Sequence, residues 1–539
     1  MPHRYRRYVP PFLRRLLILN PAPRRWPFAL RAGICMAVPV LAGWLSGDTA
    51  AGLIATIGGF TALYGSGRPY LNRAGYLAII ALSFAAAVAL GDWAARIPLL
   101  GLVTITLIAM VAVLVCHALS VGPPGAYMFM LGCAAGTATA ATHLTPWHIG
   151  ALVLSGGVFA WLAHMVAVLW RPRAPEYAAV GAARAAVMRY LESGEGTDRH
   201  QAARALHQAW VTLVNFEPAR PRRDGTLQHL RAENHRLHRV FAAAMAAVDR
   251  GEPLPDIDDP SFADTTPDLP LGRPGNLTLL RRALTPGSDS LRLAVRVGIA
   301  VALAGTVASV LSIDHAYWAM AAAVLVLYQG FDWTRTVQRG VERLVGTWLG
   351  LGLAGAILAW HPQGLWLVAV IALLQFIIEM FVMRNYAIAV VFITPIALTI
   401  ATAGHPVDDL GRLLLARGLD TVIGCAAALL VYRAAIRTRG PAPVTEAIDA
   451  TLAAMAAMAA TIAHLEAGSV TTAQARADRR DLQLRAMAML DVYQGAVGGS
   501  ASQREAAERL WPTVAATEHD AYRTLTACWQ TEHRRPNHE

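Results

Sequence analysis

The feature that most constrains this chain is an apolar module that occurs twice in the same order. The signature Arg-x-Gly-Ile opens one apolar run at Arg31 and a second one at Arg296. Each run is followed by an acidic break, a short second run, a loop rich in Arg and Gly, and a third run. An internal repeat built of apolar segments of this length is typical of transporters and channels.

The composition places these segments in a membrane. The mean hydropathy is +0.40, and charged residues make up 15% of the chain. A soluble protein carries about 25% charged residues. The apolar runs are roughly 15–23 residues long, close to the ~20 residues that a helix needs to cross the hydrocarbon core. We therefore predict an all-α, polytopic membrane protein.

Each module predicts six membrane spans, and the second span of each is short. We expect these short spans to be tilted, broken or enclosed in the helix bundle. Because an even number of spans preserves orientation, the modules are predicted to be parallel repeats related by an axis along the membrane normal. The predicted spans lie near 28–46, 50–65, 74–91, 98–117, 125–142 and 149–170, and near 292–312, 316–329, 342–360, 364–382, 386–402 and 410–433.

The basic residues predict the orientation of these spans. The net charge is +11, and every basic side chain except histidine is an Arg. The Arg residues cluster in alternate loops, and the opposite loops carry most of the acidic residues. By the positive-inside rule, both termini are cytoplasmic, and this explains the charge better than nucleic-acid binding does. The absence of Lys also excludes a Walker A motif.

The predicted organisation alternates membrane modules with soluble helical regions. The five Cys have no CxxC spacing, which argues against zinc or disulfides and predicts small buried hydrophobes. No catalytic arrangement, metal site or cofactor motif is apparent. The predicted domains are a basic cytoplasmic N-terminus (1–27), a first transmembrane module (28–172), a cytoplasmic helical region with a Pro/Asp-rich linker (173–290), a second transmembrane module (291–436) and a cytoplasmic helical C-terminal region (437–539).

The strongest candidate site is a stripe of Arg at the start of a span in the second module. Arg335, Arg339 and Arg343 have helical spacing and are followed by a Gly-x-x-x-Gly pair, Gly346 and Gly350, that lets another helix approach closely. Such a stripe attracts anions and fits a carboxylate, which makes Arg339 and Arg343 candidate substrate ligands. Snorkelling of the Arg to lipid headgroups is the alternative.

Two further pairs repeat between the modules. Arg31 and Arg296 lie just inside the first span of each module, where they either snorkel or face each other across a transport pathway. Tyr127 and Tyr386 begin the fifth spans, where they either stack on an aromatic substrate or belong to the interfacial aromatic belt. All four are candidate substrate-binding residues.

Three ionisable residues lie inside predicted spans. Arg417 and Asp420 share one helix face, so they form either a structural ion pair or a site in which Asp420 carries a proton. Glu379 lies about one turn inside the end of its span, where it has either a gating or a capping role. These residues are candidates for energy coupling or for a structural ion pair.

The second module carries a set of motifs that are found together in a known family. These are Tyr317-Trp318-Ala319, Arg339-Gly340, Arg343, Gly346-Thr347, Gly350, the run Asn385 to Pro395, and Arg417-x-x-Asp420-Thr421-x-x-Gly424. On these motifs, the second module resembles the fusaric acid resistance protein family. The first module shares only the hydropathy and the Arg-x-Gly-Ile opening, and it lacks the Arg-x-x-Gly-Thr element.

This resemblance implies a multi-pass exporter of aromatic carboxylic acids or related toxic organic anions in a bacterial inner membrane. Transport is then either passive or driven by an ion gradient or the membrane potential. The family is similar to the aluminium-activated malate transporters of plants, in which two six-span subunits pair. Some Gram-negative members work with a periplasmic adaptor protein. For this chain, an adaptor and a homo-oligomer both stay open.

Two other interpretations compete with this one. A major facilitator also has two sets of six spans and a cytoplasmic central loop, but the loop from Gly65 to Arg73 lacks the expected Asp. A membrane scaffold would use its soluble helices to bind a partner. Ionisable residues inside the spans favour transport, because a scaffold does not require them.

The predicted topology can be tested by accessibility labelling of single cysteines in a variant that lacks the native ones. Cysteines introduced at Gly47 and Gly404 should react with an impermeant maleimide added outside, because their loops are poor in Arg. A cysteine at Gly194 should react only after the membrane is opened. External labelling at Gly194 would contradict the topology.

Overall fold

The structure, a computed structural model, describes most of the chain. Most of the predicted N-terminal segment, residues 263–274 of the predicted linker and Gly404 lie outside the described residues. The described residues are 19, 25–97, 99–139, 144–216, 225–262, 275–313, 315–328, 333–402, 407, 409–436, 443–467, 469, 472–497 and 501–534.

The described residues form helices and loops, without a β-strand among them, which confirms the all-α prediction. The α-helices are α1 (Trp26–Leu45), α2 (Thr49–Gly59), α3 (Tyr70–Ala95), α4 (Leu100–Ala118), α5 (Tyr127–Thr139), α6 (Pro146–Met165), α7 (Ala174–Ser193), α8 (Gly196–Trp210), α9 (Thr226–Arg250), α10 (Asn276–Ala283), α11 (Asp289–Val310), α12 (Tyr317–Tyr328), α13 (Trp333–Trp360), α14 (Leu365–Phe381), α15 (Tyr386–Ala401), α16 (Leu410–Ile436), α17 (Pro443–Glu466), α18 (Thr472–Val497) and α19 (Ala501–Arg534).

The chain divides into two compact units. The first, here called the membrane unit, comprises Met1–Ser66, Ala74–Val166 and Gly275–Arg439. The second, here called the helical unit, comprises Gly67–Arg73, Ala167–Pro274 and Gly440–Glu539.

Eight helices in the described part of the chain are long and apolar enough to cross a membrane. Seven of them coincide with predicted spans, namely α1, α3, α4, α6, α11, α13 and α16. The eighth, Val444–His464 in α17, belongs to the helical unit and falls in the region predicted to be cytoplasmic. The remaining predicted spans are the shorter helices α2, α5, α12, α14 and α15. The count of twelve spans therefore stays a prediction.

The short second helix of each module is enclosed by its neighbours, which is one of the three arrangements that the sequence left open. In α12 every residue from Trp318 to Leu327 is buried, and in α2 every residue from Gly52 to Gly59 is buried. A helix of 12 residues is only about 18 Å long, shorter than the ~30 Å hydrocarbon core. Its terminal N–H and C=O groups therefore need shielding from lipid by the surrounding helices.

The first helix of each module packs against the fourth helix of the other. Helix α1 contacts α14, and α11 contacts α4. A Cβ on Gly33 would lie 2.9 Å from the carbonyl oxygen of Ala372 in α14, and one on Gly298 would lie 2.5 Å from Sδ of Met110 in α4. The glycine of each Arg-x-Gly-Ile signature therefore lies at this reciprocal crossing. The parallel relation of the two modules stays a prediction.

The predicted Gly-x-x-x-Gly contact is confirmed. Helix α13 packs closely on α15. A Cβ on Gly346 would lie 2.5 Å from the carbonyl oxygen of Ala387, and one on Gly350 would lie 2.7 Å from that of Val391. Real Cβ atoms do not approach backbone oxygens so closely. The two glycines thus set the distance between these helices.

A pair of variants tests this contact. Gly350→Ala should lower the unfolding temperature of the purified protein in detergent, because overpacking costs about 1–3 kcal/mol. Gly352→Ala is the matched control, since a Cβ there meets nothing within 4 Å. Both variants gain the same helix propensity, so the difference between them measures the contact. Equal unfolding temperatures would contradict the assignment.

The helical unit has one core to which both soluble regions contribute. In the sequence each soluble region follows one module, but α7, α8 and α9 share buried apolar residues with α17, α18 and α19. Ionic contacts join the two regions as well. Glu518 of α19 accepts hydrogen bonds from Arg199 at 2.7 Å and from His200 at 3.1 Å in α8.

The first part of the predicted linker is packed rather than extended. Ile257 is buried, and its carbonyl oxygen accepts a hydrogen bond of 2.5 Å from Arg236 in α9. Leu254 and Phe262 pack against the same core. The Pro/Asp-rich composition of this segment suggests a linker, but its few apolar residues pack on the core of the helical unit.

The helical unit is predicted to lose stability in mild acid through His238. Burial lowers the pKa of its imidazole from 6.5 to about 3, and its Nδ1 lies 2.8 Å from the carbonyl oxygen of Asn234. The unfolded chain therefore takes up a proton below pH 6.5, while the folded chain does so only near pH 3. The stabilisation is complete above pH 6.5 and falls by about 2 kcal/mol at pH 5.

Thermal unfolding at pH 8 and pH 5 measures this effect. The drop in unfolding temperature between the two pH values should shrink in His238→Gln. His229→Gln, at an exposed position of the same helix, should keep the wild-type drop. A wild-type pH dependence in His238→Gln would show that another group causes it.

Candidate functional site

Helices α13 and α16 bring two arginines into the interior of the membrane unit. Arg343 of α13 is 0% exposed and Arg417 of α16 is 1% exposed, and they are the largest of the fully buried side chains. The two helices contact each other, and the guanidinium groups lie within electrostatic range. Two buried cations repel each other and each loses its hydration, which costs several kcal/mol unless something compensates.

The guanidinium groups keep most of their hydrogen-bond donors open. All three nitrogens of Arg417 are buried without a hydrogen bond to any part of the chain that the structure describes. The buried nitrogens of Arg343 have the hydroxyl of Tyr386 beside them and bond to no carboxylate among the described residues. Each guanidinium has five N–H donors and no acceptor. An anion that reaches both groups would find donors that are already desolvated and oriented.

Aromatic side chains surround the two arginines. The Cζ of Arg417 lies 3.9 Å from the ring centroid of Trp318, which is buried in α12. This contact covers one face of the guanidinium and leaves its edge for hydrogen bonds. Tyr386 lies beside Arg343, and Tyr127 is within range of both arginines.

The position of Tyr386 follows from local sequence. Asn385 caps the N-terminus of α15, because its side chain accepts a hydrogen bond of 3.1 Å from the amide of Ile388. Tyr386 is therefore the first helical residue. Its ring also lies 4.4 Å from the Cζ of Arg339, whose guanidinium is 3.4 Å from the carboxylate of Glu342. The carboxylate of Glu342 thus balances the charge of Arg339, whose side chain lies next to Tyr386.

Asp420 is one helical turn from Arg417 and is 0% exposed. The two side chains are not hydrogen-bonded to each other. Asp420 is within electrostatic range of both Arg417 and Tyr317. Five of the predicted site residues, together with Trp318, are therefore linked by neighbouring contacts or charge interactions: Tyr127, Arg343, Tyr386, Arg417 and Asp420. We call these six residues the arginine cluster.

The other predicted residues lie elsewhere in the membrane unit. Glu379 of α14 accepts a hydrogen bond of 3.2 Å from Arg25, at the end of α14 that faces α1. Arg31 lies over Phe28 of its own helix, with its Cζ 5.5 Å from the ring centroid. The Cζ of Arg296 lies 5.0 Å from the ring centroid of Tyr432.

Sequence reasoning missed Trp318 as a site residue. An aromatic residue at the start of an apolar run resembles a member of the interfacial belt. The length of the apolar run distinguishes a belt residue from a site residue. A short helix that is enclosed by other helices, such as α12, places its first residues in the interior of the bundle. The five Cys, by contrast, are buried and unbridged, as predicted.

Residues 302–431 match the family described as fusaric acid resistance protein-like. The matched range contains four members of the arginine cluster besides Arg343, namely Trp318, Tyr386, Arg417 and Asp420. The chain is a membrane protein whose second module is similar to the fusaric acid resistance-like family. Tyr127 and Arg31 belong to the first module, which lies outside the family match.

Three relatives extend this comparison. The uncharacterized membrane protein YvaC of Bacillus subtilis (strain 168) is 28% identical over 96% of this chain and 87% of its own length. The inner membrane protein YccS of Escherichia coli (strain K12) is 28% identical over 35% of this chain and 26% of its own length. The uncharacterized protein YhfK of the same organism is 31% identical over 28% of this chain and 21% of its own length. No solved structure matches the chain.

Proposed function

We propose that this protein is a transporter that exports aromatic carboxylic acids, or related organic anions, across the bacterial inner membrane. The observation that carries the proposal is the arginine cluster, in which the guanidinium groups of Arg343 and Arg417 are buried and bond to no carboxylate of the described chain. The family supports it as well, because its description refers to resistance to an organic acid.

The chemistry of the cluster fits such a substrate. A guanidinium binds a carboxylate through two parallel N–H···O bonds, and both bonds are stronger away from water. The rings of Trp318, Tyr127 and Tyr386 supply apolar and edge contacts for an aromatic group beside the carboxylate. An acid with a planar ring would thus contact both kinds of group at once.

The membrane potential is sufficient to drive this export. An inside-negative potential favours the exit of an anion by about 2.3 kcal/mol per charge per 100 mV. A passive pathway therefore lets the anion move outward without ATP. Glu379 is bound to Arg25, so we assign it to a structural contact rather than to proton transfer. An adaptor protein and self-association remain compatible with this scheme.

Flux into and out of liposomes tests the proposal. Benzoate efflux from reconstituted vesicles should rise when a potassium diffusion potential makes the interior negative. Arg343→Gln should slow the flux about 10–100-fold, because a hydrogen bond to a charged group is worth ~1.5–3 kcal/mol. Arg292→Gln is the control, since Arg292 is exposed and paired with Asp289 at 2.7 Å.

The control should keep the wild-type rate, and both variants should be recovered in the membrane in equal amounts. A normal rate in Arg343→Gln would remove this residue from the pathway and assign it a packing role. Absence of benzoate flux in the wild-type protein, across a panel of aromatic acids, would overturn the proposed function.

A further inference from the structure

We infer that Tyr64 and Tyr328 are positioning residues for Tyr127, and that they thereby set the preference of the arginine cluster for aromatic over saturated carboxylic acids. Each of the two tyrosines stands at the end of the short second apolar run of its module. The inference rests on the proposed function, because it concerns the substrate of the same site. It assigns a role to a repeated pair of residues that does not itself belong to the cluster.

Tyr64 holds the loop that precedes α5. Its hydroxyl donates a hydrogen bond of 2.6 Å to the carbonyl oxygen of Gly125. The centroid of its ring lies 5.7 Å from that of Phe129, in the first turn of α5, and 6.0 Å from that of Phe84 in α3. Tyr64 is 1% exposed, so the surrounding groups fix the direction of its hydroxyl. Tyr64 therefore ties the start of α5 to the first module through both its ring and its hydroxyl.

Tyr328 holds the same loop from the second module. It is the last residue of α12, a helix that packs against α5. A Cβ on Gly125 would lie 2.6 Å from Cε1 and 2.7 Å from Oη of Tyr328, so the ring lies directly on the backbone of the loop. The Tyr328 oxygen also accepts a hydrogen bond from the amide of Ala126. Gly125 has a φ of +66°, which favours glycine, and a larger side chain there would collide with the Tyr328 ring.

This loop leads directly into the arginine cluster. Tyr127 follows Ala126 and is the first residue of α5, and both residues are buried. Tyr127 is within electrostatic range of Arg343 and Arg417. Because only one residue separates Tyr127 from Gly125, a displacement of the loop also moves the backbone of Tyr127. The two hydroxyls thus fix the place of the Tyr127 ring beside the arginines.

Tyr386 is positioned by a separate device. The side chain of Asn385 caps α15, and Tyr386 follows it as the first helical residue. Loosening the loop before α5 should therefore displace Tyr127 and leave Tyr386 and the two arginines in place. The carboxylate of a substrate would still be bound, while the contact with its ring would weaken. The affected property is then the choice between kinds of ring, rather than the binding of an anion.

Two acids of equal charge and similar size test the inference. Benzoate has a planar aromatic ring, and cyclohexanecarboxylate has a saturated ring with the same number of carbons. Their affinities are measured from the rise that each causes in the unfolding temperature of the purified protein in detergent. The wild-type protein should bind benzoate about 3–10-fold more tightly, because aromatic contacts contribute beyond the area they bury. Equal affinities, or binding of neither acid, would overturn the inference before any variant is made.

The variants Tyr64→Phe and Tyr328→Phe each remove one hydroxyl and keep the packed ring. Each should weaken benzoate binding until the preference for benzoate is close to one, and each should leave the affinity for cyclohexanecarboxylate unchanged. Tyr177→Phe, at a position of α7 that is 54% exposed, is the matched control and should keep the wild-type preference. An unchanged preference in both folded Phe variants would overturn the inference.

The variant Tyr127→Ala decides whether the two hydroxyls act through Tyr127. It removes the ring and should by itself abolish the preference for benzoate. In this background, Tyr64→Phe and Tyr328→Phe should change the preference no further, whereas residues that act independently give additive effects. Additive effects, or a preference that survives in Tyr127→Ala alone, would overturn the inference.

Flux measurements in vesicles separate this inference from the proposed function. A protein that binds benzoate with a preference that depends on the two hydroxyls, but that moves no acid, would overturn transport and support the positioning role. A protein that moves aromatic acids and keeps its preference in both Phe variants would support transport and overturn the positioning role.

Discussion

The burial of two like charges in an apolar bundle is the constraint on which the membrane unit depends. Arg343 and Arg417 are removed from water and from lipid headgroups, and they lie within range of each other. Most buried arginines are compensated by hydrogen-bonded carboxylates. Here the compensation comes from an aromatic face, from phenol groups and from the nearby charge of Asp420. In the proposed function, a bound anion supplies the rest of the compensation.

Small residues make that arrangement possible. Gly346 and Gly350 let α13 approach the backbone of α15, and this approach brings Arg343 to Tyr386. On the other side, a Cβ on Gly424 of α16 would clash with the carbonyl oxygen of Ala319 in α12. The close contact of α12 and α16 places Trp318 over Arg417. Helix spacing, rather than any single polar contact, therefore positions the cluster.

The reciprocal packing of α1 on α14 and of α11 on α4 joins the two halves of the membrane unit. In each half, the fourth helix packs against the first helix of the other half. Both halves also contribute to the arginine cluster, since Tyr127 comes from the first module and the other members come from the second. The relative YvaC matches almost the whole chain, whereas the family match covers only residues 302–431.

The sequence by itself determined the helical class, the membrane location and the candidacy of Arg343. Each of these follows from run lengths or from spacing along one helix, which a sequence displays directly. Only the tertiary structure decided that Arg343 meets Arg417, that Trp318 covers Arg417, and that both soluble regions share one core. These contacts join helices far apart in the chain. They depend on how closely each pair of helices approaches and on which face each helix turns inward, and side-chain packing sets both.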